Sequence, residues 1–425
     1  MKILLVHNRH RPGSTSGDDR VFANERGLLS ARGHEVVTYE RDNDEFDRAG
    51  RGARVRIGLE TVWSTRTYLD LRKLLRRELA ARPPPGRAPG DFVAHLHNIF
   101  PLVSPSAYSA CRDFGLPVVQ TLHDFRFLCP AAFLFREGKV CEECLEPDAT
   151  GWKRLKSSIG YRCLRGSRGQ SGAAALLVCF HHLRKTWSRQ VNAFICLSDS
   201  ERDKFVQAGF PADRIFIKPN FLPEESLFVD RNVKMNEPAF AVFLGRLGEE
   251  KGLEVLLAAW KELPEIPLKI LGDGPQRRKL AARARELKLG NVEFLGWQEH
   301  RACLDWLSRS RMLIMPSIWR ETFGLAIIEA YACGKPVVAS RLGALADLVR
   351  EGETGLNFVP GDPADLARKA RWLWENETAR VEMGQKARKE FEEKYTEERN
   401  YGFLQDIYRE AIDNRKWQRE QRQKA

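Results

Sequence analysis

Short apolar runs alternate with amphipathic segments along nearly the whole chain. In the first half, apolar runs of strand length occupy residues 3–7, 35–39, 92–96, 117–122, 193–197 and 215–218. Helical periodicity separates several of these runs, most clearly at residues 20–32 and 61–81. Buried strands that alternate with amphipathic helices are typical of a parallel sheet covered by helices on both faces. The composition of residues 82–90, RPPPGRAPG, predicts a loop.

A second series of the same kind follows a break in the pattern at residues 221–238. Its predicted strands occupy residues 240–244, 268–271, 292–295, 312–315, 336–339 and 356–359. We therefore expect an α/β protein of two doubly wound domains, at residues 1–220 and 221–400, whose ligand-binding sheet edges face a central cleft. Residues 401–425 form a charged helical pattern with an apolar side, and we expect this helix to cross back to the first domain.

Charge narrows the range of partners. The 425 residues carry a formal net charge of +12, and residues 151–200 hold nine Lys or Arg against one acidic residue. Nucleic acid, a membrane surface and an anionic acceptor all fit such a stretch, as does a solvated basic face without a partner. No nucleic-acid-binding motif is present. No apolar run reaches the length of a membrane span, and the opening MKILLVHNR reads as a strand rather than a signal peptide, so we expect a cytoplasmic location.

The most specific chemical motif is an E-x7-E pattern in the second domain. Glu321 lies in the loop after a predicted strand, a helix begins near residues 323–325, and Glu329 follows in its second turn. Amides at a helix start can receive phosphate or hydroxyl oxygens, and carboxylates accept hydroxyl hydrogen bonds. On its own, an E-x7-E spacing is most simply explained by two surface glutamates. The surrounding sequence, SIWRETFGLAIIEAYACGKPVVAS, is far more specific than the spacing alone.

Two glycine-containing turns follow the first strands of the same domain. Gly245 begins a turn that carries Arg246 and Lys251, and these cations are able to converge on one anion. Gly272 ends the next strand and shapes the same rim. A departing diphosphate needs such cations as its bond breaks.

Together these motifs resemble the group 1, family 4 retaining glycosyltransferases of the GT-B fold. The match covers both domains and is tightest from residue 243 to residue 340. The resemblance implies that Arg246 and Lys251 hold the donor pyrophosphate. It also implies that Glu321 contacts the transferred sugar and that Glu329 binds the nucleotide ribose.

The resemblance further assigns backbone contacts with the donor. The amides of Phe323, Gly324 and Leu325 help to hold sugar and phosphate. A glycine of the loop after the first strand approaches the phosphate; Gly13 and Gly17 are the candidates, and Gly17 is preferred.

In the first domain, His123 ends a strand in the sequence TLHD, at a position where relatives often carry a histidine near the reaction centre. The resemblance implies a front-face reaction in which the departing phosphate takes the acceptor proton, with no cofactor and no catalytic metal. Asp42 and Asp44 have the D-x-D form of metal-dependent transferases of another fold, and we interpret them as solvated surface.

Four cysteines lie in an irregular insertion at residues 129–163. Cys129, Cys141, Cys144 and Cys163 include a C-x2-C pair, and such a set suits structural zinc. An iron–sulfur cluster and packed thiols without metal are the other interpretations.

The function predicted from the sequence is transfer of a sugar, such as a hexosyl unit, from a nucleoside-diphosphate sugar to a hydroxyl acceptor. Residues 171–187 have an apolar centre and basic ends, which favours a lipid-linked, polysaccharide or other anionic acceptor and peripheral contact with the inner face of the membrane; a plain buried helix is the alternative. A nucleotide-sugar epimerase and a non-catalytic nucleotide-sugar sensor are the other functions open at this point.

Overall fold

The computed structural model describes residues 1–10, 17–48, 57–80, 91–146, 151–227 and 238–424. These residues form two compact units. The first comprises Met1–Leu134, Glu142–Lys218 and Tyr401–Ala425, and the second comprises Phe135–Cys141 and Pro219–Asn400. Gly13, the loop predicted at residues 82–90 and residues 228–237 of the predicted boundary lie outside the described residues.

The first unit is built on a parallel sheet. Its strands are β1 (Lys2–Arg9), β2 (Glu35–Asp42), β3 (Phe92–Leu96), β4 (Val118–Thr121), β7 (Ala193–Cys196) and β8 (Ile215–Ile217). Within the described residues their order is β2-β1-β3-β4-β7-β8, with β1 paired to both β2 and β3. The reversal of chain order on either side of β1 is the point at which doubly wound sheets bind ligands.

Helices cover both faces of this sheet. They are α1 (Gly17–Ala31), α2 (Asp44–Asp47), α3 (Thr65–Ala80), α4 (Ser106–Asp113), α5 (Gly151–Gly160), α6 (Arg168–Leu183), α7 (Thr186–Gln190) and α8 (Asp199–Gln207). Leu4 and Val6 of β1 pack with Leu71 of α3 on one face. Ile3 and Leu5 pack on the opposite face, so successive residues of the strand alternate between two buried sides.

An insertion after β4 carries two short strands, β5 (Phe135–Arg136) and β6 (Lys139–Val140), which pair antiparallel. Single helical turns, Ala212–Arg214, Glu224–Leu227 and Glu249–Lys251, occur later in the chain.

The second unit repeats the same architecture. Its strands are β9 (Ala241–Leu244), β10 (Leu268–Leu271), β11 (Val292–Gly296), β12 (Met312–Met315), β13 (Val337–Ser340) and β14 (Gly355–Phe358). The described strands have the order β11-β10-β9-β12-β13-β14, and every pair is parallel. The helices are α9 (Leu253–Trp260), α10 (Arg277–Glu286), α11 (His300–Arg309), α12 (Leu325–Ala332), α13 (Ala344–Leu348), α14 (Pro363–Glu375) and α15 (Glu377–Lys394).

The last helix, α16 (Glu397–Lys424), packs on the first unit. Leu404, Ile407, Tyr408 and Ala411 are buried in the same apolar cluster as Ile3 and other residues of the first sheet. The Tyr408 hydroxyl also lies 2.8 Å from His95 Nδ1 on β3. This helix therefore contributes to the core of the first unit.

The predicted strands agree with the observed ones to within a few residues, because alternating or continuous burial leaves a clear pattern in the sequence. The predicted helix at residues 61–81 begins later than expected, at Thr65. Among the described residues, no helix combines the length and apolar character needed to cross a bilayer.

Candidate functional site

The second unit brings Lys251 and Glu321 into direct contact. Lys251 Nζ donates to Glu321 Oε1 at 2.7 Å, and the Ser317 hydroxyl donates to the same oxygen at 2.7 Å. Glu321 is largely buried. Because two donors share one of its oxygens, its carboxylate is held in one orientation. The Lys251 ammonium also lies 5.5 Å from the centre of the Trp319 ring, a distance that permits a cation–π interaction.

Close backbone packing places Lys251 at this position. Gly252, the residue after Lys251, has φ of +70°, and a Cβ there would lie 2.0 Å from the carbonyl oxygen of Pro316. The Ile318 amide donates to the Glu250 carbonyl at 2.9 Å, which ties the loop after β9 to the loop after β12. Glycine is required at this position because any side chain would separate the two loops.

Arg246 lies in the same turn but has a different partner. Its guanidinium contacts Glu250 Oε1 at 2.5 Å, and the Arg246 side chain is half-exposed whereas Glu250 is nearly buried. Gly245 and Gly272 allow the ends of β9 and β10 to approach each other, since a Cβ on Gly272 would lie 1.9 Å from the Gly245 carbonyl oxygen. The sequence did not indicate Glu250 as the residue that orients Arg246.

Helix α12 begins at Leu325, after Phe323 and Gly324. The first amides of a helix have no carbonyl partner within it, so the amides at residues 323–325 can bind an oxyanion. Glu329, in the second turn, is buried and faces His300 Nε2 at 3.0 Å. His300 begins α11 and was not predicted as part of the site, because nothing in its local sequence signals the contact.

The first unit holds a small pocket at the ends of β3 and β4. His97, His123, Asp124 and Arg126 line it, together with Asp18 from the first turn of α1. Burial lowers the pKa of His123 to about 3, so its imidazole is neutral at neutral pH. Burial also raises the pKa of Asp124.

Gly17 is the first residue of α1, and two acidic residues follow it. Asp18 lies 3.0 Å from His10 Nε2, and Asp19 lies 2.7 Å from His7 Nε2. The hydrogen bond with Asp18 raises the pKa of His10. The role of Gly17 toward a donor phosphate stays a prediction.

The expected zinc site is not supported. A shared metal ion needs at least three His, Cys, Asp or Glu side chains close together. Among the described residues such a group is formed by Glu25, His95 and His97, and it contains no cysteine. Cys129 is buried in the apolar core of the first unit, and Cys163 packs against that core. Cys129 therefore contributes to packing, which the spacing of the cysteines in the sequence does not reveal.

Asp42 and Asp44, the D-x-D pair, lie at the end of β2 and the start of α2. The Asp44 amide donates to the Asp42 carboxylate at 2.9 Å, and Asp44 pairs with Arg48. Both carboxylates thus have local partners that stabilise the turn.

Comparison with known proteins identifies two matching domain families. Residues 20–220 match a glycosyl transferase 4-like domain, and residues 226–390 match glycosyl transferases group 1. Over 422 aligned residues the chain is 30% identical to the glycogen synthase of Mycobacterium tuberculosis, covering 91% of this chain and 89% of that protein.

A second relative matches over a shorter region. The D-rhamnosyltransferase WbpZ of Pseudomonas aeruginosa is 35% identical over 161 residues, which is 37% of this chain and 42% of that protein. Several of the curated relatives are thus matched over about half of their length or less.

Solved structures share the fold at low sequence identity. Anabaena Alr3699/HepE in complex with UDP superimposes with a TM-score of 0.62 at 17% identity, over 96% of this chain and 99% of that one. The sucrose-phosphate synthase of Thermosynechococcus elongatus gives 0.65 at 20% identity, over 97% and 99%. With two parallel α/β units, both domain families and a relative matched over nearly its whole length, the chain belongs to the group 1 glycosyltransferases of the GT-B fold.

Proposed function

We propose that this protein is a retaining glycosyltransferase that moves a sugar from a nucleoside-diphosphate sugar to a hydroxyl group of an anionic acceptor. The observation that carries the proposal is the contact between Lys251 and Glu321, 2.7 Å long and buttressed by Ser317. It sets a cation beside a carboxylate that can accept hydrogen bonds from sugar hydroxyls, and both lie just before the first amides of α12. Such an arrangement suits a substrate with a diphosphate attached to a polyol.

In the proposed reaction, Lys251, Arg246 and the amides at residues 323–325 stabilise the diphosphate as the glycosidic bond breaks. The bond between the anomeric carbon and the phosphate oxygen breaks, and the acceptor oxygen attacks from the same face. The departing phosphate oxygen takes the acceptor proton. Glu321 orients the sugar through its hydroxyl groups, and Glu329 binds the ribose.

We propose that catalysis proceeds without a metal, because cationic side chains of the protein are available to stabilise the leaving diphosphate. Lys251 and Arg246, which contact Glu321 and Glu250, supply this stabilisation together with the amides at residues 323–325. Activity that persists after exhaustive chelation would agree with this scheme. Activity that is lost on chelation and restored by Mg²⁺ or Mn²⁺ would contradict it.

We propose that the acceptor binds the first unit. Helices α5 and α6 carry Trp152 and Leu183, which are 75% and 76% exposed, beside a run of basic residues. Leu176, Phe180 and Leu183 have the spacing of one helix face and are all exposed, whereas Ala174, Leu177 and Val178 are buried. An exposed apolar stripe with basic neighbours suits a lipid-linked or polysaccharide acceptor at the inner face of the membrane.

Two measurements test the enzymatic proposal. A thermal-shift screen against nucleotides and nucleotide-sugars, starting with UDP because the Anabaena neighbour was solved with it, identifies the donor, since a ligand that binds the folded state raises Tm. Proton NMR of the product then reports the anomeric configuration. An inverted anomer would overturn retention, and release of a free epimerised sugar nucleotide without an acceptor would overturn transferase activity.

A further inference from the structure

Four side chains in the first unit form a chain of contacts that ends at His123. Lys218 Nζ lies 2.6 Å from Glu25 Oε1, Glu25 Oε2 lies 3.4 Å from His97 Nε2, and His97 Nδ1 lies 3.0 Å from His123 Nε2. Lys218, Glu25 and His97 are each at most 1% exposed. They are contributed by three separate elements: Lys218 follows β8, Glu25 is on α1, and His97 follows β3.

The cluster resembles a metal site but already contains a cation. Glu25, His95 and His97 each offer a ligand atom within 4.8 Å of the others. The Lys218 ammonium, fully buried at 2.6 Å from the Glu25 carboxylate, balances the charge of that carboxylate. A divalent ion would add uncompensated charge next to a buried ammonium, so the residues fit a hydrogen-bonded network instead.

The ionisation of Glu25 decides where the protons lie. Burial alone would raise the pKa of Glu25, but its neighbours, above all the Lys218 ammonium, outweigh burial and hold its pKa well below the usual range. Glu25 is therefore a carboxylate that only accepts hydrogen bonds. Its Oε2 and His97 Nε2 are both buried and lie 3.4 Å apart, and neither atom has a hydrogen-bond partner among the described residues. Beside a buried carboxylate oxygen, a proton on His97 Nε2 is favoured over a lone pair, because the N–H is attracted to the negative charge whereas a lone pair would be repelled by it.

The proton on His97 Nε2 determines the hydrogen bond to His123. Burial lowers the pKa of His97, so the ring is neutral and its Nδ1 has a lone pair. The two rings have centroids 5.2 Å apart and planes within 21°, which places the 3.0 Å contact close to the plane of both rings. Because His97 Nδ1 accepts the hydrogen bond, His123 Nε2 must carry a proton and act as the hydrogen-bond donor.

We propose that Glu25 and His97 are positioning residues that hold His123 as the Nε2–H tautomer, so that His123 Nδ1 serves as the hydrogen-bond acceptor toward a sugar hydroxyl. The role toward sugar rests on the proposed function, whereas the tautomer rests only on the contacts within the first unit. The arrangement makes His123 an acceptor that orients a hydroxyl group rather than a proton donor. A histidine held in the other tautomer would present an N–H at the same position.

The tautomer is measured directly by long-range proton–nitrogen NMR of the full-length protein labelled with ¹⁵N-histidine. The His123 signals are assigned by their loss in His123→Gln. We expect the wild-type protein to show a protonated Nε2 and an unprotonated Nδ1 at pH 7.5. A protonated Nδ1 would overturn the proposal, whether or not the protein transfers sugar.

A charge-balanced variant tests the role of Glu25. Glu25→Gln combined with Lys218→Met removes the carboxylate without leaving a buried ammonium unpaired. An amide can either donate to or accept from His97 Nε2, so we expect both His123 tautomers to appear. A single Nε2–H tautomer in this variant would show that Glu25 does not set it. The wild-type measurement decides the main question if this variant does not fold.

Steady-state kinetics separates the network from the proposed function. We expect the double variant to lower kcat by about tenfold or more while the affinity for UDP is unchanged. His181→Gln is the matched control, because His181 is also buried but contacts Thr186 and Val62 rather than this network. A mixed tautomer with unchanged kcat would uphold the network and contradict the assignment of His123 to the reaction.

Discussion

Lys251 and Glu321, 70 residues apart in the chain, form a hydrogen-bonded ion pair 2.7 Å long at the centre of the proposed donor site. The pair links the turn after β9 with the loop after β12, and Ser317 shares the Glu321 oxygen. The Lys251 charge is therefore positioned by the protein before any substrate arrives. A preorganised cation stabilises a leaving diphosphate without having to reorganise during the reaction.

We expect Lys251→Met to lower kcat by roughly a hundredfold, because one charge-stabilising donor is lost at the leaving group. The affinity for acceptor should change little. Lys279→Met is the matched control, since Lys279 is an exposed lysine of the same unit that pairs with Glu254. Arg246→Ala should act in the same direction. Near-parental turnover of a folded Lys251→Met, Arg246→Ala double variant would contradict the role of both cations.

Substitutions of the two glutamates of the E-x7-E motif should affect different steps, one nucleotide binding and the other turnover. We expect Glu329→Gln to weaken binding of UDP by about tenfold, the scale of one hydrogen bond to a charged group, because ribose hydroxyls lose a carboxylate acceptor. We expect Glu321→Gln to bind UDP normally but to lower kcat. Titration calorimetry with UDP and initial rates measure the two effects. Glu254→Gln, an exposed carboxylate of the same unit, is the control, and equal behaviour of all three variants would contradict the assignment.

Charge reversal on α5 should release the protein from anionic membranes. We expect co-sedimentation with vesicles containing anionic lipid but not with neutral vesicles, and release by salt, because exposed charges are screened. Changing Lys153, Arg154 and Lys156 to Glu should abolish this binding. Reversing Arg278, Lys279 and Arg283 on α10 gives the same change in net charge and should leave binding intact. Negligible sedimentation of the parent protein with both vesicle types would leave a soluble acceptor.

The buried His181 should contribute a measurable pH dependence to stability. Burial lowers its pKa from 6.5 to about 4 in the folded protein. Between these values the unfolded chain binds more protons, so the contribution of His181 to the free energy of unfolding falls as the pH falls, by about 1.4 kcal/mol per pH unit.

Comparison with His181→Gln isolates this contribution, because every other titrating group is common to both proteins. Urea midpoints at pH 7.5, 6.5, 5.5 and 4.5 provide the data. The stability difference between the parent and the variant should shift in favour of His181→Gln below pH 6.5. A difference that does not vary with pH would show that His181 titrates normally in the folded state.

The sequence predicted elements better than contacts. Strand positions such as β3 and β10 follow from apolar runs bounded by turns, and the start of α12 follows from the motif after Glu321. The partners of the motif residues were not predictable, since Glu250 and His300 become neighbours of Arg246 and Glu329 only through the tertiary fold.

The buried network and the cysteines illustrate the same limit. His95 and His97 lie two residues apart at the end of β3, which was the available signal for the network, but Glu25 and Lys218 are separated by 193 residues in the chain. The C-x2-C spacing suggested zinc because it keeps the thiols of Cys141 and Cys144 close together in the chain. It carries no information on Cys129, which packs in the apolar core.

The packing of α16 on the first sheet has a consequence for synthesis of the protein. The first unit lacks Leu404, Ile407, Tyr408 and Ala411 from its core until the ribosome has translated the whole intervening unit at residues 219–400. At bacterial or eukaryotic elongation rates this takes roughly 10–40 s. The second unit can therefore complete its fold before the first, although it is made later, and the apolar face of the first sheet must be kept from aggregation during that interval.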